Sequence, residues 1–247
     1  MLILACDTSS TACSVCVSED GVPLASAFLN MGKTHAETFM PMVDDLLKRV
    51  KIDYKQIDVF SCTVGPGSFT GIRIGVSAIQ TMAMLFDKPA IPVSSMEALA
   101  YPHYLRENTL VVPIVDARNR RVFTSVYQDG EQCLEELACT WDELSQTLGQ
   151  ILEDRGCGQI LFCGDATHIY APEAVEMGLP VLDEGRRIVD IHSEVVSTLA
   201  YRNYMRVPPE QRAEVFAAGK LVPTYCATTQ AERNRDSAGR NETHIKG

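Results

Sequence analysis

The feature that most constrains the fold is an order of elements that runs twice along the chain. Leu2 to Cys6 is a short continuous apolar run closed by Asp7, and Thr8-Ser-Ser-Thr11 is a polar turn. Ala12 to Ser18 then alternates, Glu19-Asp20-Gly21 turns the chain, and Val22 to Leu29 makes a third strand. Lys33 to Val50 places Ala36, Phe39, Met40, Val43, Leu46, Leu47 and Val50 at the spacing of one helical face, behind a Thr34/Glu37 capping-box pattern and with Pro41 inside it. A strand, Asp58 to Val64, and a helix, Gly71 to Asp87, complete the unit, and Ala90 to Val93 adds a short strand before a serine-capped helix. From Leu110 the order begins again: an apolar strand closed by Asp116, an alternating strand Arg121 to Tyr127, a hairpin signal at Asp129-Gly130, and a third strand Gln132 to Ala138. A helix from Trp141 to Arg155 with a Thr140/Glu143 capping box, a strand Gln159 to Cys163, and helical segments Pro172 to Met177 and Ser193 to Arg206 follow. Asp7 and Asp116 close the first strand of each half, nearly half the chain apart. Duplication of a βββαβα unit accounts for this most simply. The expected division is 1–105, 106–225 and a polar, mobile tail 226–247.

Between strand 58–64 and the next helix lies Val64-Gly-Pro-Gly-Ser-Phe-Thr-Gly-Ile-Arg-Ile-Gly75. Glycines there could let backbone N–H groups at a helix N-terminus approach a phosphate. Alternatively Gly71 and Gly75, four apart on one helical face, could let another backbone come close. The loop is neither G-x-G-x-x-G nor G-x-x-x-x-G-K-[ST], since Ile72 and Arg73 stand where Gly-Lys belongs. The helix behind it has almost no polar side, so it is buried on several faces or keeps one for a partner. Phe39, Met40, Val43 and Leu47 of the first helix, with Gly71, Ile72, Gly75, Ala78 and Met82 of the second, form the expected partner or dimer face. The small residues there permit close approach, and methionine adapts to a changing partner.

Charge narrows the function classes. With 22 basic against 32 acidic side chains the net charge is −10, which argues against an extended basic surface for nucleic acid. The N-terminal apolar run ends at Asp7, unlike a signal peptide, and no apolar run approaches the length of a membrane span. A cytoplasmic location without membrane contact is expected. The nine cysteines read as free thiols. Cys13 and Cys16 lie three apart in an alternating strand, so their sulfurs face opposite sides rather than forming a C-x-x-C pair. His35, His103, His168, His192 and His244 contain no H-x-x-x-H pair.

A duplicated three-strand meander with an aspartate at the first corner of each half resembles the α/β fold shared by actin, Hsp70 and sugar kinases (the ASKHA, RNase H-like class). In that class the two corners grip nucleotide phosphates and a metal. More closely, Asp7-Thr-Ser-Ser, Thr34-His-Ala-Glu37, the Gly65–Gly75 loop, Val115-Asp-Ala-Arg118, Cys163-Gly-Asp-Ala166 and Pro223-Thr-Tyr225 resemble the TsaB (YeaZ) family. The resemblance implies a role in making threonylcarbamoyladenosine, the modified base beside the anticodon of tRNA. It also implies a non-catalytic subunit that pairs with a homologous catalytic subunit, TsaD, with a small ATPase, TsaE, joining them. Contact with tRNA would then be indirect, and a homodimer would form when the partner is absent. TsaD-like subunits keep a His-x-x-x-His metal motif, but Val93-Ser-Ser-Met-Glu-Ala-Leu99 here puts Ser95 and Leu99 at the ligand positions. A hydroxyl is a poor ligand for a transition metal and an isobutyl group is none. The usual Asp-x-Gly corner is Asp7-Thr8-Ser9. The resemblance therefore implies a degenerate nucleotide-type cleft at Asp7, Thr8, Ser9, Asp116, Gly164 and Asp165, with no metal, no catalytic residue and at most vestigial nucleotide binding.

Two other classes compete. A small kinase or ATPase on the same fold would use Asp7 and Asp116 on Mg²⁺ and Gly164 near the adenosine. A glycoprotease-like metallopeptidase would need a histidine-rich metal motif, which the sequence does not supply. His35 is expected in a solvated turn or interface, and Arg73 in a structural or interface ion pair rather than a phosphate clamp.

Overall fold

In the computed structural model, which describes residues 1–31, 34–182 and 190–226, the repeated pattern builds two sheets. The first contains β1 (Leu2–Asp7), β2 (Cys13–Glu19), β3 (Val22–Leu29), β4 (Val59–Gly65) and β5 (Ala90–Ser94), in the order β3-β2-β1-β4-β5. The second contains β6 (Thr109–Asp116), β7 (Arg121–Gln128), β8 (Glu131–Thr140) and β9 (Gln159–Cys163), in the order β8-β7-β6-β9. Each half is an antiparallel meander whose first strand then pairs in parallel with the strand returning after a helix. Where the first half adds β5, the second adds a single parallel bridge, Ile160 to Val181. This is a duplicated actin-like fold with a shortened second copy.

The helices are α1 (His35–Val50), α2 (Phe69–Phe86), α3 (Ser95–Ala100), α4 (Trp141–Arg155), α5 (Thr167–Glu176), α6 (Ser193–Arg206) and α7 (Pro209–Val215). Strand alternation sorts them into layers. Leu4 and Cys6 point to one face of the first sheet and pack with α1 and α2, whereas Ile3 and Ala5 point to the other and pack with α3 and α6. Leu110, Val112 and Ile114 pack with α4 and α5, and Val111 faces the central layer. Burial of residues such as Phe39, Ile79 and Trp141 stabilises each layer by about 2 kcal/mol per large side chain.

The two central helices join the halves. Short α3, capped by Ser94 Oγ on the amides of Met96 and Glu97, lies between the sheets, against β4 and β5 as well as β6 and β7. Helix α6 lies on the first sheet. It lies close because facing residues are small: Ser14 Oγ is 2.6 Å from Ser193 Oγ and Ser18 Oγ 2.5 Å from Ser197 Oγ, all four residues buried. The expected boundary at 105/106 thus separates the sheets but not the chain. Residues 191–225 return to the first half, with Phe216 O accepting from Ala90 N–H and Thr224 N–H donating to Val64 O.

Several expectations need correction. Thr34 is the N-cap of α1, but its side chain makes no capping bond. Helix α2 starts at Phe69 rather than Gly71, behind Ser68, whose Oγ accepts from Gly71 N–H. Helix α5 begins at Thr167 and runs through Pro172, and α7 forms where the pattern weakens. By length and composition α2, 18 residues with mean hydropathy 1.3, could cross a membrane, contrary to the expectation that no run approaches that length; 39% of it is buried inside the fold. The Thr140/Glu143 capping box and the divergence of Cys13 and Cys16 are as expected. Of the tail, residues 227–247, including His244, lie outside the described residues.

Candidate functional site

The site begins at the corner after β1. Asp7 is fully buried, and its Oδ1 accepts from Ser9 N–H at 3.2 Å, Ser9 Oγ at 2.6 Å and Thr63 Oγ1 at 2.5 Å. Its Oδ2 has no hydrogen-bond partner among the described residues. Burial pushes the carboxyl above its ordinary range, and the Ser9 and Thr63 hydrogen bonds oppose that rise.

The glycine loop is folded onto this corner. Thr8 Oγ1 donates to Gly71 O at 2.8 Å, and Ser68 N–H donates to Ser9 O at 2.7 Å. A Cβ at Gly71 would lie 2.0 Å from Thr8 O, at Gly75 2.4 Å from Thr8 Oγ1, and at Gly67 2.5 Å from Ser9 O. The expectation that Gly71 and Gly75 face another subunit is therefore corrected: the backbone they admit is this chain's own Thr8–Ser9 corner. Phe39, Val43, Leu47, Ile72 and Met82 are also buried in the core beneath α1 and α2. Of the nine expected interface residues only Met40 is exposed, with Ala78 half-buried. The open surface of the same two helices instead includes Met40 and Pro41 beside the charged Glu37, Asp45, Lys48 and Arg49 on α1, and Phe69, Thr70, Arg73, Ser77, Thr81, Met84 and Leu85 on α2.

His35 joins the corner from α1. Its Nε2 pairs with Ser10 O at 2.8 Å, so it is a staple between α1 and the corner rather than a solvated residue. From the far side Asp190 accepts from Ser10 Oγ at 3.3 Å and from Asn30 Nδ2 at 3.1 Å.

The second corner faces the first across the cleft. Asp165 Oδ1 accepts from Asp116 N–H at 2.9 Å, and Asp116 Oδ1 from Arg118 N–H at 2.8 Å. Burial raises the Asp165 carboxyl, with the Asp116 amide opposing. Gly164 lets β9 turn against β6, since a Cβ there would meet Ile114 O at 2.3 Å. Arg118, Asn119 and Arg120 all have positive φ (66°, 54° and 55°). Three side chains in that conformation cost about 1 kcal/mol or more each.

Ser9, Ser10, Pro66, Ser95, Leu99, Val115, Asp165 and Ile191 line the cleft, which encloses about 10 Å³. That is room for one water, against about 300–1,000 Å³ for a small-molecule site. Ser95 and Leu99, one turn apart on α3, both reach it, and Ser95 Oγ is buried without a partner among the described residues. A lone hydroxyl beside an isobutyl group does not suit a transition metal. Among the described residues no three His, Cys, Asp or Glu side chains are grouped to hold an ion. Ser95 and Leu99 therefore do not offer a pair of metal ligands.

Sequence reasoning missed the role of the C-terminal arm. Leu221 is buried in the core with α2, Gln80 Nε2 donates to the carbonyls of Ala218 and Leu221, and Tyr225 reaches Arg73. Arg73 has no ion-pair partner among the described residues and lies over the Phe69 and Tyr225 rings; the structural ion pair is corrected, and the interface one is not tested within a single chain. The Pro223-Thr-Tyr225 motif was the available signal, but nothing local says what it touches.

Fold and cleft together define an actin-like protein whose first corner is packed with its own glycine loop and whose cleft is lined by Ser95 and Leu99. A family model described as TsaD, tRNA N6-adenosine threonylcarbamoyltransferase, matches residues 29–180. The tRNA threonylcarbamoyladenosine biosynthesis protein TsaB of Bacillus subtilis is 31% identical over 172 residues, 69% of this chain and 73% of the relative. TsaB of Haemophilus influenzae is 36% identical over 126 residues, 51% of this chain and 53% of the relative, so the chain spans about half the length of that relative. A crystal structure from Pseudomonas aeruginosa, described as an uncharacterized protein with similarity to peptidase YeaZ, superimposes with a TM-score of 0.72 at 26% identity, covering 92% of this chain and 99% of that one. The chain belongs to the TsaB (YeaZ) family.

Proposed function

We propose that this chain is a non-catalytic scaffold and activator in the synthesis of tRNA threonylcarbamoyladenosine. It pairs with a homologous TsaD-like transferase subunit, a TsaE-like ATPase joins the pair, and tRNA is met only through the complex, in the cytoplasm. The observation that carries the reading is the contrast between cleft and surface. The cleft offers Ser95 and Leu99 at the expected ligand positions and about 10 Å³ of space, which supports a chain without nucleotide, metal or catalytic residue of its own. By contrast, α2 leaves Phe69, Met84 and Leu85 exposed on one helix, and an apolar surface of this kind marks an interaction site. The names of the TsaB relatives and the match to the TsaD model support the choice of pathway and partner. With the partner absent, the same surface self-associates.

The test is threonylcarbamoyladenosine formation on tRNA with the chain alone, with the TsaD-like and TsaE-like subunits alone, and with all three. Product is expected only when all three are present. Product from the chain alone, or full product without it, would sink the proposal.

A further inference from the structure

Arg73 is the only charged residue on α2. Its guanidinium carbon lies 3.8 Å from the centre of the Phe69 ring and 5.9 Å from that of Tyr225, and its Nε donates to the Tyr225 hydroxyl at 3.0 Å. The two rings are 5.5 Å apart. They fix the guanidinium plane, and the hydroxyl occupies only Nε, so both terminal nitrogens stay available to a carboxylate. Tyr225 is itself held, because Thr224 N–H donates to Val64 O at 2.7 Å and Leu221 is buried. Arg73 is nonetheless exposed, and among the described residues it has no ion-pair partner. A cation stacked, oriented and left unpaired on an apolar helix face loses little side-chain entropy when it binds, which is the profile of an arginine hot spot.

We propose that Arg73, clamped between Phe69 and Tyr225, is the anchor of the partner-binding face and pairs with a carboxylate that the partner presents among apolar side chains. The proposal rests on the partner reading above and commits to the TsaD-like subunit rather than a second copy. An opposing α2 of a second copy would offer Arg73 no carboxylate.

The test is titration calorimetry of the full chain against the TsaD-like subunit at low and high salt, using wild type, Arg73→Gln, Arg73→Lys and Tyr225→Phe. Arg73→Gln is expected to weaken binding roughly ten- to a hundredfold and to flatten the salt dependence, with circular dichroism and Tm unchanged. Arg73→Lys should recover only part of the loss, because an ammonium neither stacks nor forks, and Tyr225→Phe should cost roughly threefold or more. Wild-type binding with Arg73→Gln within twofold of it would overturn the anchor while leaving the partner reading intact. No binding by wild type would overturn both. Loss of self-association in Arg73→Gln, with the heterocomplex unchanged, would show that the occupant is a second copy and overturn the choice made here.

Discussion

Gly71→Ala tests the assignment of the glycine loop most directly. Its new methyl would sit 2.0 Å from the Thr8 carbonyl oxygen, whereas ordinary contact begins at 3.4 Å. The helix and the corner must therefore separate by about 1 Å, and the obstacle is backbone, which no rotamer change can remove. That separation breaks the Thr8 Oγ1 to Gly71 O and Ser68 N–H to Ser9 O hydrogen bonds. Each is worth about 1 kcal/mol, and overpacking adds about 1–3 kcal/mol. A loss of about 3–5 kcal/mol follows, or roughly 10 °C in Tm for a chain of this size. At Gly75 the obstacle is a side-chain atom, Thr8 Oγ1, 2.4 Å from the new methyl. Thr8→Ala should therefore relieve Gly75→Ala, with a coupling of about 1–2 kcal/mol in a double-mutant cycle, but should not relieve Gly71→Ala. Gly149→Ala in α4, where nothing lies within 4 Å of the new methyl, is the control and should stabilise by about 0.5–1 kcal/mol. Thermal unfolding followed by circular dichroism reads the four single variants and the two doubles. A Tm for Gly71→Ala within 2 °C of wild type by that roughly 2–4 °C per kcal/mol scale, or strict additivity of Thr8→Ala and Gly75→Ala, would refute the intramolecular assignment. If the single alanines instead spared the monomer and weakened only the complex, the glycines would be subunit contacts after all.

Other outcomes follow from the same geometry. Asp7, Asp165 and Glu136 are all raised by burial, so the folded state holds their protons more tightly than the unfolded chain. Stability should rise as pH falls from 7 through these raised values, and the gain should be complete below the ordinary carboxylate range. Asp7→Asn should therefore stabilise the protein at neutral pH, with the difference shrinking in acid; a constant difference in chemical denaturation between pH 4 and pH 7, a window of about the carboxylate range and above, would contradict this. Burial pushes the Cys13 thiol up to about 11 and the Cys16 thiol to about 12, so native-state alkylation mapped by mass spectrometry should label only the half-buried Cys133, Cys157 and Cys226. Labelling of Cys13 before unfolding would count against the packing of β2. Thr140→Ala removes the cap of α4 and its reciprocal bond with Glu143, and should lower stability by about 1 kcal/mol in urea titration.

Much of the candidate site was legible residue by residue. Ser95 and Leu99 were singled out from Val93 to Leu99, and the structure puts both side chains in the cleft because one helical turn separates them. The crowding of the first corner by Thr8 and Ser9 was also legible. The direction of the Gly71 and Gly75 row was not. A glycine pair states that something approaches, and only the fold says whether it is a neighbouring subunit or the chain's own first corner 63 residues earlier. The reading of Phe39, Val43, Leu47, Ile72 and Met82 as interface failed for a related reason. An apolar helical stripe marks the buried side of a helix, and on α1 and α2 that side meets the first sheet.

By itself the sequence determined the two meanders, the helices that follow them, the Thr140 cap and the opposed cysteines of β2. These depend on period, capping and turn chemistry, which act between residues close in the chain. The tertiary structure alone decided that α3 lies between the two sheets and α6 on the first, that residues 191–225 close the first half, and that Tyr225 reaches Arg73 from 152 positions away. Such contacts are fixed by which small and apolar surfaces meet once the layers stack, and hydrophobic burial has no direction along the chain from which that meeting could be read.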